Sequence, residues 1–131
     1  MRRFRIGAAL AMVVMLGSCG NPQEGSRVQM LADQYYRQIQ SGNLSAAAQL
    51  YSPQERALAL GMLEETRDKL GALRSYHFTG AEQNTVFSGR FYIFTVGTEY
   101  GDHEHNERLT LRSQVNTDEI FVVSQKIDPV D

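Results

Sequence analysis

The spacing of apolar residues changes once along this chain, at Gly71, and that change limits what it can fold into. Before it, apolar residues recur at three- and four-residue intervals. Val28, Leu31, Ala32, Tyr35 and Ile39 fall on one face of a helix. Gly42, in Ser41-Gly42-Asn43, suits the left-handed residue that closes a helix, and Asn43 can cap a second, short helix holding Leu44, Ala47, Ala48 and Tyr51. Ser52-Pro53-Gln54-Glu55 reads as a third start: a capping serine, a proline at the first position and a glutamate reaching back to close a capping box. That helix is expected to run to about Leu70, with Leu58, Met62, Thr66, Leu70 and Leu73 on its buried face.

After Gly71 the chain becomes rich in β-branched and aromatic residues. Strands are expected over 76–87, 90–100, 107–115 and 120–127, joined at Ser88-Gly89, at 101–106 and at 116–118. Helices followed by strands favour an α+β fold, with N-terminal helices packed on one face of a four-stranded antiparallel sheet. The third strand alternates cleanly, Leu109, Leu111 and Val115 against Arg108, Thr110, Arg112 and Gln114. The second strand carries large groups on both sides, Phe91 and Ile93 against Tyr92, Phe94 and Val96, and Phe121 and Val123 do the same opposite Ile120 and Val122. A sheet with one wet face should alternate throughout. Either these groups stay partly exposed, as small domains allow, or the second face meets a partner subunit, a ligand or the chain's own terminus.

The start of the chain has a different logic. Arg2, Arg3 and Arg5 precede residues 6–16, which carry no charge. Eleven helical residues cover about 16 Å at 1.5 Å each, half of the hydrocarbon core, which suits the apolar region of a secretory signal and not a span. Leu16-Gly17-Ser18-Cys19 follows and resembles the lipobox of bacterial lipoproteins. The resemblance implies a diacylglycerol on the Cys19 thiol, cleavage before it and acylation of the new amino group, palmitate being a typical chain. It implies an envelope protein held by lipid, with Gly20 in place of aspartate favouring the outer membrane, facing the periplasm. The expected organisation is a signal peptide over 1–18, an acylated cysteine with a short polar tether over 19–26, and one α+β domain over 27–131. Losing residues 1–18 removes three of the 13 basic residues and none of the 15 acidic ones, leaving 113 residues near −5. Such a body gains nothing from anionic headgroups, so the acyl chains must supply the membrane attachment.

The body also resembles the nuclear-transport-factor-two-like, cystatin-like α+β group. Leu31-Ala32-Asp33-Gln34-Tyr35-Tyr36, Ser41-Gly42-Asn43 and Leu70-Gly71-Ala72-Leu73 carry the likeness. It implies a curved sheet and helices forming a cone whose mouth can hold small molecules and whose outer sheet face often dimerises. A strand usual between the second and third helices has no counterpart in this sequence.

Little of the sequence carries chemistry. His77 beside Tyr76 and Phe78 is a candidate general base in such a cone, with Tyr35, Tyr36 or Asp33 as neighbours; a histidine in a strand is otherwise structural or surface-facing. His103 and His105 in Asp102-His103-Glu104-His105 can offer two nitrogens to zinc or copper, but no third ligand is identifiable and the segment reads as an exposed turn, so no metal site is assigned. Glu64, Glu65 and Asp68 read as a solvated helix face. There is no nucleotide-binding glycine loop, nucleophile-elbow serine or helical zinc motif, so no cofactor is implied, and no basic stripe suited to nucleic acid. The expectation is a non-enzymatic envelope lipoprotein presenting a small domain for protein or ligand contact, as a homodimer or with an envelope partner. The alternative is a small-molecule-binding or enzymatic cone using Tyr35, Tyr36 and His77.

Overall fold

The computed structural model describes residues 22–115 and 117–128; Cys19 and residues 1–18, expected to be a signal peptide, lie outside the described residues. Helix α1, Pro22–Gln40, buries Val28, Ala32 and Tyr35 on the face that the apolar spacing predicts, and Tyr36 beside them. It begins six residues before Val28, so most of the segment expected to be a tether is helix. The reason is polar and long-range, outside the reach of apolar periodicity. In its first turn Glu24 accepts hydrogen bonds from Arg90 Nη1 at 2.7 Å, from Ser113 Oγ at 2.6 Å and from Tyr92 Oη. At the other end Gly42, with φ of 84°, lets the chain turn back, and the amide of Asn43 bonds the Gln38 carbonyl at 2.9 Å.

Helix α2, Leu44–Ala48, is capped by Asn43 as expected, its Oδ1 accepting from the Ala46 amide at 3.2 Å. The next start differs. Ser52 makes no side-chain cap, and Pro53–Glu55 forms a 3-10 turn before α3, Arg56–Leu70. The backbone bond from the Glu55 amide to the Ser52 carbonyl, 2.9 Å, does the work expected of the capping box. The buried face of α3 is Ala59 and Leu63, while Leu58 is 73% and Met62 38% exposed. Helix α3 packs chiefly on the short α2, not across the sheet, so a narrow stripe suffices and the outer apolar pair stays in solvent.

The sheet runs β1 Leu73–Val86, β2 Gly89–Tyr100, β3 His103–Gln114 and β4 Ile120–Ile127, in that spatial order and antiparallel throughout. The fold is α+β, and β1 and β4 are the edge strands. Between α2 and α3 the chain touches β4 through one parallel bridge, Tyr51 to Val122, with the Val122 amide on the Leu50 carbonyl at 2.9 Å. The stretch 101–106 is not a loop. Gly101 (φ of 56°) and Asp102 make a two-residue turn, and Tyr100 pairs with His103. Strand β3 therefore starts four residues earlier than expected, and its alternation places His105, Glu107, Leu109, Leu111 and Ser113 on the buried side.

That inner face, with Tyr92, Phe94, Val96 and Tyr100 of β2, meets α1 in the core. On the outer face Phe91 and Ile93 are half-buried, with the Arg112 guanidinium 5.8 Å from the Phe91 ring centre.

Burial alone would raise the pKa of Glu24, but the bonds from Ser113, Tyr92 and Arg90 outweigh it and hold it below the ordinary 4.5. The Tyr92 hydroxyl, buried and bonded to that carboxylate, is pushed up to about 12. A carboxylate whose folded pKa is depressed stabilises the fold fully above its unfolded value and loses that contribution as pH falls through the folded one. Glu24→Gln should therefore lower the urea midpoint at pH 7, and the gap between variant and parent should close as pH is taken below 4.5. A pH-independent gap would remove Glu24 from the acid limb.

Candidate functional site

The most unusual feature of the interior is a carboxylate. Glu107 is 1% exposed and projects from β3 toward α1. Its Oε1 accepts from Tyr36 Oη at 2.7 Å and Gln125 Nε2 at 2.7 Å; its Oε2 accepts from Thr98 Oγ1 at 2.8 Å and Tyr100 Oη at 3.0 Å. One anion thus gathers donors from α1, β2 and β4. Among the described residues no cationic side chain forms an ion pair with it. The network extends further: Tyr35 Oη donates to Gln125 Oε1 at 2.5 Å, and since its one proton is used there, Tyr51 Oη donates to it at 2.9 Å.

The phenols are held as donors. Burial, then the neighbouring Glu107 carboxylate, raises the Tyr36 pKa well above 10, and the same two causes raise that of Tyr100. Burial, then Tyr51, does so for Tyr35. A carboxylate has about four lone-pair sites, and here four donors fill them. Chemically the cluster is saturated: a substrate could reach Glu107 only by displacing one of its partners. Such an arrangement fixes the relative positions of the strands and α1.

Beside it lies a recess of about 90 Å³ walled by Ile39, Leu44, Leu63 and Leu73, with Gln40, Thr66, Arg67, Tyr100 and Gln125 among its polar lining. Pockets that enclose metabolite-sized ligands run to roughly 300–1,000 Å³. This one accepts a few waters or the end of a side chain.

Tyr35 and Tyr36 come together here, their rings 5.4 Å apart and edge to face. His77 does not join them. It is exposed on the outer sheet face, across the sheet from both tyrosines, and its ring lies over Gly97, where an added Cβ would come within 2.6 Å of Cε1. Odd and even residues of one strand face opposite sides, so Tyr76 and Phe78 turn inward, stacking and edging on Tyr36, and His77 must turn out. Asp33 accepts from Tyr76 Oη at 2.8 Å and pairs with Arg37, away from His77. His103 is exposed while His105 is buried against Tyr100, with its Nδ1 unpartnered among the described residues; those residues include no group of three or more metal-ligating side chains.

The sequence pointed to Tyr35 and Tyr36 as pocket residues with His77; the structure places the two tyrosines in the Glu107 network, which also holds Thr98, Tyr100 and Gln125, residues the sequence reading did not single out. One signal was available. Carried backward from Leu111 and Leu109, the alternation of β3 sets Glu107 among buried positions.

Comparison with known proteins adds no relative: no family model and no curated sequence matches the chain.

Removing one donor tests the network. Tyr36→Phe keeps the ring and deletes a bond to a buried charge, a loss of about 1.5–3 kcal/mol in unfolding free energy by urea titration. Glu107→Ala strands four partners and should cost more than Tyr36→Phe. Equal or smaller loss in that variant would show that the carboxylate is not what organises the cluster.

Proposed function

We propose that this chain is a bacterial lipoprotein, anchored in the cell envelope through acyl chains on Cys19, whose α+β domain works by contact and not by catalysis. The observation that carries the reading is the sequence of the leader: three arginines, an uncharged run and Leu16-Gly17-Ser18-Cys19, holding the only cysteine in the chain. Among the described residues no helix is long and apolar enough to cross a membrane. The outer membrane, facing the periplasm, is the favoured address on the strength of Gly20.

Two features support contact over catalysis. The buried carboxylate is fully occupied by its own donors, and the histidine expected to act as acid or base stands on the other side of the sheet from the tyrosines. The domain belongs, on this reading, with the nuclear-transport-factor-two-like, cystatin-like group, the sheet curving round α1 as a shallow cone. Bulges between Phe78 and Gly80 and between Thr110 and Leu111 favour that curvature, and the bridge at Tyr51 stands where the group has a strand. Its contacts with other molecules run over surfaces, including the half-apolar outer face around Phe91 and Ile93, and through the small recess.

Cys19→Ala is the direct test. In cells fed labelled palmitate the parent should carry label and sediment with membranes, while the variant should lose the label and appear in the soluble fraction. A variant that stays labelled, or an unlabelled parent, would sink the anchor.

A further inference from the structure

Seven large apolar side chains are exposed among the described residues, and three of them lie at one end of the domain. Phe87 is fully exposed at the tip of the β1–β2 turn, Val86 beside it is 39% exposed, and Val115, at the start of the β3–β4 connection, is 50% exposed. Tight turns favour glycine, asparagine, aspartate and serine. A bare phenylalanine in a two-residue turn serves neither the turn nor the core.

The place matters as much as the exposure. Val86 and Val115 line one shallow concavity together with Glu24, Arg90 and Ser113. Glu24 is in the first turn of α1, bonded to Arg90 and Ser113, and Arg27, one turn on, donates to the Asp118 carbonyl at 2.6 Å. The start of α1, the Phe87 turn and the β3–β4 connection therefore form one end of the domain. Pro22 begins that helix three residues after Cys19, a reach of at most about 11 Å at 3.8 Å per residue.

We propose that Phe87, with Val86 and Val115, inserts into the lipid interface next to the anchor and sets the domain's orientation on the membrane. The inference rests on the acylation of Cys19 proposed above. With the chain pinned so close, the α1 end cannot stand far from the bilayer, and its exposed apolar groups face a solvent that takes them up. Arg27 and Arg112 lie just behind the tip, Arg112 donating to the Ser88 carbonyl at 3.3 Å, with stems long enough to reach phosphate oxygens. Glu24, Asp118 and Glu119 share this end, so charge is mixed and the apolar side chains make the contact.

The chain has no tryptophan, so one introduced at position 87 reports alone. Lipidated Phe87→Trp is purified from membranes, reconstituted into phosphatidylethanolamine–phosphatidylglycerol vesicles and floated. His103→Trp, exposed at the β2–β3 turn on the opposite end, serves as its reference. Emission at position 87 should shift to the blue and be quenched by lipids brominated near the headgroup end of the acyl chains, while position 103 keeps its water-like spectrum and is not quenched. Vesicles that float with the protein but leave position 87 unquenched overturn the insertion and leave the anchor standing. Equal quenching at both positions overturns the orientation. Failure to float overturns the anchor, and the insertion with it.

Discussion

One buried anion holds this domain together. Glu107 takes hydrogen bonds from α1, from two residues of β2 and from β4, so a shift of any of these elements leaves the buried carboxylate short of a donor. Paired with neutral donors among the described residues, a buried carboxylate costs several kcal/mol in desolvation, and it is tolerated because its lone pairs are all used. Apolar contact holds the elements together without choosing among nearby registers; the hydrogen bonds to Glu107 choose. A second carboxylate, Glu24, plays the same part at the far end of α1, nearer solvent and with an arginine among its donors. The helix is thus keyed to the sheet at two points along its length by groups that tolerate no slippage.

The two carboxylates also explain why the buried aromatic residues are so largely tyrosine. Tyr35, Tyr36, Tyr51, Tyr92 and Tyr100 are all buried, and each places a hydroxyl on one of the two networks. Phe78 lies edge-on to Tyr36 and 5.5 Å from Phe94. The same ring surface fills the core in either residue; the hydroxyl decides which positions can neighbour a charge.

Most element types were legible because they depend on local pattern. The body of α1, the Asn43 cap and the bounds of β4 follow from spacing and capping chemistry within a few residues. What escaped depends on partners distant in the chain. Pro22 to Ser26 lacks apolar periodicity, yet Glu24 draws it into a helix through Arg90, Tyr92 and Ser113, more than sixty residues away. Asp102-His103-Glu104-His105 looks like a solvated loop because charge usually means water; the alternation of β3 sets Glu107 on the buried side, but the donors that let a carboxylate stay there lie on other elements. The buried face of α3 was misjudged for a similar reason: Leu58 and Met62 have the right spacing, but the surface available to α3 is a five-residue helix, narrow enough for Ala59 and Leu63 to cover.

The fastening of α1 at both ends has a mechanical consequence. Gln40 Nε2 bonds the Arg74 carbonyl at 2.7 Å at one end, and Glu24 joins β2 and β3 at the other. In a chain held by its N-terminus, any pull enters at Pro22 and meets the Glu24 clamp within the first turn. Three hydrogen bonds then share the load side by side, and the strands beneath them are drawn along as one piece instead of being peeled apart in turn.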